Sequence, residues 1–298
     1  MKYLVTGGAG FIGSHVCELL LASGQTVRVL DNLSSGDPSW LPSSVELITG
    51  DICDKDALTA AADGSDVIVH LAAMSRSAPS GGMLDECIRS NVNGVVNLIE
   101  VATGSPPQRI VFAASSTYYG SGEVPNMVGA SPDFLNYYGV TKYVGEALLG
   151  TLSRAAAIPV TNLRFFNVYG PRQPTEGEYA LVIGQFLRAA QRNEPLVVHG
   201  DGSQRRDFVH VRDVARAISL ASTIGAGGCQ TFNVGTGTNT SIIELAKMIS
   251  PQIEFGPRRS GDAKDTLADI APTTAALGWR PEIGLTEGLE ELRSLGSS

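Results

Sequence analysis

With 298 residues, 43% of them hydrophobic and 17% charged, the chain can bury a sizeable core, which excludes disorder over most of its length. A formal net charge of −8, with no basic run interleaved with aromatics, argues against a nucleic-acid surface, so an anionic ligand must be held by a few local arginines. No apolar stretch reaches the length of a membrane span and Met1 leads straight into an apolar strand pattern, so no membrane partner and a cytoplasmic location are expected. Cys17, Cys53, Cys87 and Cys229 are scattered, without C-x-x-C spacing or partnering histidines; they read as small buried residues, with no metal site.

Tyr3-Leu4-Val5 reads as a strand that runs into Thr6-Gly7-Gly8-Ala9-Gly10-Phe11-Ile12-Gly13 and then a helical pattern from Ile12 to Leu21. Three glycines three apart between strand and helix are the pattern of a dinucleotide-binding turn. Gly7 allows the tight turn, Gly10 lets the backbone approach a pyrophosphate, and Gly13 lets the helix pack on the strand. The helix N-terminus then offers N–H groups and positive dipole to the phosphates. A second strand, Thr26 to Leu30, ends in Asp31, whose carboxylate suits ribose hydroxyls and repels a 2′-phosphate, so NAD is expected over NADP.

Beyond Asn32-Leu33-Ser34-Ser35-Gly36, a third strand is predicted from Val45 to Thr49, closed by Gly50-Asp51-Ile52. Asp51 is read either as a partner for an adenine amino group or as the cap of the helix over Lys55 to Ala62. A fourth strand, Val67 to His70, opens into Leu71-Ala72-Ala73, small enough for a backbone passing close to a cofactor. His70 reads as a satisfied strand-end histidine rather than a catalyst. A long helix is predicted from Met83 to Val101, and a fifth strand, Arg109 to Ala113, ends in the hydroxyl-rich Ser115-Ser116-Thr117-Tyr118-Tyr119-Gly120. In open α/β sheets such carboxyl ends hold ligands.

The helix from Tyr138 to Ala156 carries Tyr138 and Lys142 on one face at i, i+4. A free phenol titrates near about 10, and bringing it to about 7 takes roughly 4 kcal/mol of preferential anion stabilisation. The ammonium of Lys142 and a positive nicotinamide are suitable sources. Tyr138 would then remove a proton from a substrate hydroxyl while the carbon beneath gives up hydride, with Ser115 bonding the same oxygen.

Strand Val160 to Phe166 closes the first unit. A helix over Ala180 to Gln191, a strand at Leu196 to His199 and the polar run Gly200 to Arg206 belong to a smaller one, while Phe208 to Leu220 and Thr231 to Val234 could return to the main sheet. Helices follow near Ser241 to Ile249, Pro272 to Leu277 and Leu285 to Leu295. The expected architecture is α/β: a Rossmann-type doubly wound parallel sheet over residues 1–167 plus about 207–234, with a smaller substrate domain over 168–206 and 235–298.

These residues resemble the extended short-chain dehydrogenases/reductases acting on nucleotide sugars, most closely the UDP-glucose 4-epimerases. The resemblance rests on the glycine turn, Asp31 to Gly36, Gly50-Asp51-Ile52, His70 to Ala73, Asn91-Val92-Asn93-Gly94, Tyr138 to Lys142, Arg164 to Pro171, Gly200 to Val214 and Arg259-Ser260-Gly261-Asp262. It implies NAD contacts from Phe11, Ile12, Asn32, Ser35, Gly36, Asp51, Ile52, Leu71, Ala72, Ala73, Asn91 and Phe165 besides the glycines, Tyr138 and Lys142. It implies Ser115, four residues before the tyrosine of Tyr119-Gly120, as the catalytic hydroxyl, with Ser116 beside the sugar. Asn167, Arg206, Arg259 and Asp262 would contact a UDP-sugar, and Thr266, seven positions after Arg259, would face the sugar's C2 substituent, where a small residue admits an N-acetyl group. A homodimer is also implied. Related 4,6-dehydratases carry Asp-Glu where this chain has Ser116-Thr117, and UDP-glucuronate decarboxylases carry glutamate at Thr117. Asn126 to Gly129 lacks a usual glutamate, and Met74-Ser75-Arg76-Ser77 is unusual. The expected reaction is therefore 4-epimerisation of a UDP-hexose through a 4-keto sugar, ahead of dehydration, decarboxylation, ketoreduction or a non-catalytic NAD-binding role.

Overall fold

Strands β1 (Lys2–Thr6), β2 (Thr26–Asp31), β3 (Glu46–Thr49), β4 (Val67–His70), β5 (Arg109–Ser115) and β6 (Val160–Phe165) lie in one sheet in a computed structural model that describes residues 1–74, 84–177, 180–225, 227–258, 261 and 263–296. A later strand, β11 (Cys229–Val234), adds to its edge. The order is β11-β6-β5-β4-β1-β2-β3 and every pairing is parallel. From β1 the chain builds outward through β2 and β3, then returns to the other side of β1 with β4. The reversal leaves a crevice at the carboxyl ends of β1 and β4, where such sheets bind ligands. Among the described residues three two-stranded ladders lie outside this sheet: β7 (Asn167–Tyr169) with β10 (Phe208–His210), β8 (Leu196–His199) with β13 (Ile253–Gly256), and β9 (Arg205–Arg206) with β12 (Thr240–Ser241).

Alternation along each strand divides the apolar side chains between two faces. Tyr3 and Val5 of β1 join Val69, Val111 and Leu163 in a cluster covered by α1 (Phe11–Ala22) and α7 (Val211–Thr223). Leu4 joins Ile68, Ile110 and Phe112 on the opposite face, under α2 (Lys55–Ala62), α4 (Gly94–Gly104) and α5 (Tyr137–Ala156). Being buried on both faces, the sheet reads as continuous apolar runs rather than alternating ones. A third cluster gathers Tyr169, Phe186, Leu196, Phe208, Leu245 and Leu289, drawing on α6 (Val182–Gln191), α8 (Ile242–Ile249) and α10 (Leu285–Gly296). Val168, Leu277 and Trp279 pack instead into the sheet's core, although Val168 and α9 (Ala271–Leu277) lie in segments expected to belong to the smaller unit. Among the described residues no helix is long and apolar enough to cross a membrane.

Several local expectations need correction. The helix expected over 83–101 is α3 (Leu84–Ile88), a π turn at Arg89–Asn93, then α4. Asp51 does not cap α2: Asp54 does, accepting from the N–H groups of Asp56 and Ala57, because it stands one residue before the helix. The cysteines are not uniformly buried. Cys229 is exposed and Cys53 half-buried; Cys229 begins the edge strand β11, whose first residues lie nearer solvent than its end.

Candidate active site

The turn after β1 is built by contact rather than by composition. Gly7 has φ +70°, and a Cβ there would stand 2.8 Å from the backbone N and Cα of Ala72. At Gly13 a Cβ would stand 2.2 Å from Gly7 O, so only glycine lets α1 start so close to β1. Gly10 differs: among the described residues the one atom its Cβ would meet within 4 Å is Gly7 O, at 3.2 Å. Gly10 is also the N-cap of α1, whose N-terminus has no side-chain cap and no acidic residue in its first turn. N–H groups of Phe11 and Ile12 at such a helix start suit an anion.

Asp31 ends β2 with both carboxylate oxygens anchored, Oδ2 by Ala9 N–H at 2.9 Å and Oδ1 by Leu33 N–H at 2.8 Å. Lone pairs remain on both oxygens for ribose hydroxyls. Gly36 packs on Ala9, bringing the Asn32 to Gly36 loop against the glycine turn, and Asn32 Oδ1 accepts from Ser34 N–H. Asp51 accepts Cys53 N–H at 2.8 Å and pairs with Arg89 at 2.8 Å. Burial works to raise its pKa, but these partners hold it below the usual carboxylate value. Ile52 is buried under Gly94.

Across the crevice, the Thr6 hydroxyl accepts Ala72 N–H at 3.3 Å and is hydrogen-bonded with His70 Nδ1 at 2.8 Å. His70 stacks on Phe112, and burial, helped by the charge of Lys142, pushes it down to about 3. It is a neutral strut that holds Leu71, Ala72 and Ala73 against the glycine turn. Asn91 is another: its Oδ1 accepts Met74 N–H, and its Nδ2 donates to Met74 O and Thr141 Oγ1. Its amide is thus committed to the protein, and it bears on the crevice through the segment it fixes.

Ser115 closes β5, its hydroxyl 2.8 Å from that of Thr117, and Tyr138 enters from the first turn of α5. Asn136 caps that helix through Gly139 N–H, and Gly139 packs on Thr117, which seats the helix start against the end of β5. Lys142 lies one turn later, 3% exposed, its ammonium 4.4 Å from the centre of the Phe112 ring. Burial pushes Lys142 down to about 7 and Tyr138 up to about 12, the bond from Ser115 opposing the second shift. The expected lowering of the phenol counts on a positive nicotinamide besides Lys142, and the raised value is that of the chain by itself. Phe165 is buried at the end of β6, and Ser116 is buried beside Ser115.

Arg206 is buried, with Nη1 donating to Arg205 O, and the next residue fixes its surroundings. The carboxylate of Asp207, fully buried, accepts from the N–H groups of Thr236, Gly237 and Ala268 and from the Thr236 hydroxyl. Asp207 N–H donates to Thr266 Oγ1, so Thr266 is buried with its hydroxyl turned to the backbone. Asn167 lies half-buried at the start of β7, its N–H donating to Asp207 O. Arg259, Asp262 and residues 75–80 lie outside the described residues.

Sequence reasoning missed a buried network behind Ser115. Arg164 makes a two-point ion pair with Glu146, Nη2 to Oε1 at 2.7 Å and Nε to Oε2 at 3.2 Å, and bonds Tyr119 Oη and Val128 O. Burial works to lower Arg164's pKa, but Glu146 holds it above its ordinary range. Glu146 also takes the Tyr118 hydroxyl, and Tyr119 Oη donates to Asn233. Glu146 stands one turn beyond Lys142, so the network locks α5 to the ends of β5 and β6.

Residues 3–235 match the NAD dependent epimerase/dehydratase family. The chain belongs to that family. A UDP-glucose 4-epimerase of Mycolicibacterium smegmatis is 36% identical over 308 residues, covering 97% of this chain and 96% of its own. The solved UDP-glucose 4-epimerase of Thermotoga maritima, with UDP-glucose, superposes with a TM-score of 0.91 at 33% identity, covering 99% of both chains. MoeE5 in complex with UDP-glucuronic acid and NAD gives 0.91 at 34% identity, covering 100% of both. NAD is the cofactor of this epimerase/dehydratase family member, and its residues fit the group. The glycine turn, the uncapped start of α1, the anchored carboxylate of Asp31 and the buried ammonium of Lys142 lie around one crevice.

Proposed function

We propose that the protein is a UDP-hexose 4-epimerase acting through a 4-keto sugar. Tyr138 accepts the proton of the sugar C4 hydroxyl and later returns it, Ser115 bonds the same oxygen, and Lys142 provides positive charge one helical turn away. Bound in the crevice, NAD would supply the hydride acceptor and donor for C4 and, oxidised, a positive charge that favours phenolate. The glycine turn and α1 hold the pyrophosphate of the cofactor, and Asp31 the adenosine ribose. Arg206 and Arg259 hold the diphosphate of the sugar nucleotide, with Asn167, Ser116 and Asp262 beside it. Charge-assisted bonds from arginine are the suitable means on an acidic chain.

The observation that carries this reading is Ser115 at the end of β5 with Tyr138 and Lys142 one turn apart at the start of α5, Ser115 being followed by Ser116-Thr117. Two hydroxyl residues cannot supply the acid/base pair of a dehydratase or the glutamate of a decarboxylase. We assign 168–206 and 235–298 to the sugar nucleotide, since most of the third apolar cluster comes from them. The small Thr266 is taken to leave room for an N-acetyl group. A homodimer through α3 to α5 is part of the proposal, because these helices leave Ile88, Val96, Tyr137 and Val140 exposed; sedimentation at low concentration checks it.

The test is incubation with UDP- and dTDP-hexoses, their N-acetyl forms and UDP-glucuronate, without added NAD, followed by product NMR. Interconversion of C4 epimers is expected with the UDP-hexoses. A 6-deoxy-4-keto product, a pentose, or no turnover would overturn the reading.

A further inference from the structure

The ammonium of Lys142 meets an aromatic face. Lys142 is 3% exposed, and among the described residues it makes no hydrogen bond or ion pair; its Nζ stands over the ring of Phe112, 4.4 Å from the centre. A cation within about 6 Å of a ring centre is drawn to the negative face, more strongly where water is excluded. Phe112 has no room to turn away. Its ring is 1% exposed and lies beside His70 of the neighbouring strand, the ring centres 5.9 Å apart and the planes 15° from parallel. At Gly145 of α5 a Cβ would stand 2.9 Å from Phe112 Cζ and 3.4 Å from Val95 Cγ2 of α4. A glycine there lets α5 lie close on the ring, three residues beyond Lys142 on the same side of the helix.

We propose that Phe112 is a positioning residue for the reaction: its ring face holds the Lys142 ammonium charged and in place beside Tyr138. This rests on the proposed function only in taking Tyr138 as the base and Lys142 as its cation. Burial works against that charge and brings Lys142 down to about 7, and the ring opposes it. The other titratable groups on the surrounding elements are Tyr138 and Glu146 on α5, His70 on β4, Cys87 with the exposed Asp85 and Glu86 on α3, and Glu100 on α4. Glu146 is paired with Arg164 and Glu100 with Lys55, and burial keeps His70 neutral beside the ammonium. A change of the Phe112 ring leaves all of these in place.

The experiment is an NMR titration of isotope-labelled lysine side chains in the NAD-loaded protein. The chain has five lysines, and the Lys142 signal is the one missing from Lys142→Met. Three forms are compared. Beside wild type these are Phe112→Leu, which stays apolar but has no π face, and a form whose Phe112 is fluorinated at both meta carbons, which keeps the ring's outline and weakens its negative face. The Lys142 midpoint is expected to fall by about one unit in Phe112→Leu and by part of that in the fluorinated form. The alkaline limb of kcat on a UDP-hexose should fall with it, KM unchanged. Coincident midpoints in wild type and Phe112→Leu would overturn the proposal. So would a fluorinated form that titrates as wild type, which would assign the Phe112→Leu shift to packing; this form decides the question even if Phe112→Leu does not fold. If wild type turns over no UDP-sugar, the epimerase reading fails while the lysine titration still decides the role of Phe112.

Discussion

Arg164→Met removes the cation of the pair behind the site and strands Glu146. The pair is two-pointed, at 2.7 and 3.2 Å, with the side chains 7% and 12% exposed, so solvent screens it little. Breaking such a pair by removing one partner costs about 3–5 kcal/mol, chiefly because the other charge stays buried. In Arg164→Met/Glu146→Leu no charge is stranded, and the remaining losses are the acceptor for the Tyr118 hydroxyl and the donor to Tyr119 Oη and Val128 O, about 1–3 kcal/mol for each buried group left unpaired. The double variant should therefore cost less than the sum of the two singles, which independent sites could not produce. Urea unfolding of all four forms with saturating NAD measures this. A cost below about 1 kcal/mol for Arg164→Met, or a double variant that loses the sum of the two singles, would refute a coupled buried pair.

Tyr138→Phe should lower turnover of the UDP-hexose by ~10²–10⁴ with nucleotide-sugar affinity kept, since general-base loss has that size; steady-state rates beside UDP-sugar calorimetry check it. Asp31→Ser removes the carboxylate that repels a 2′-phosphate, so a titration should show NADP gaining on NAD, whereas wild type prefers NAD. Gly10→Ala should change the melting temperature little and weaken NAD, because its Cβ would meet Gly7 O at 3.2 Å in the turn that faces the pyrophosphate; Gly13→Ala should lower both, its Cβ falling 2.2 Å from Gly7 O. His70 titrates at about 3 in the fold against 6.5 ordinarily, so between these values the unfolded chain binds more protons and stability falls as pH falls. His70→Asn, whose amide can still bond the Thr6 hydroxyl but cannot titrate, should show a shallower loss in unfolding free energy across that window.

Much of the site was legible because its signals are local. Gly7 to Gly13, Asp31 five residues into its strand and Tyr138 four before Lys142 each mark a turn, a strand end or a helix face within one element, and adjacent elements pair in the order such units allow. The two- and three-residue ladders at Asn167, Arg205, Phe208 and Thr240 carry no periodicity to read. The buried partners had no local signal either. Glu146 and Arg164 are 18 residues apart and meet only because α5 packs across β5 and β6; Asn233 reaches Asn126 across 107. Asp207 is different, for it adjoins a residue read as functional, and what hid it was chemistry attributed to the neighbour alone. Tyr138 shows the same limit: a motif brings phenol and ammonium onto one helix face, but how far each is desolvated depends on the packing of α5 on Phe112 and the end of β5, which raises the phenol and lowers the ammonium.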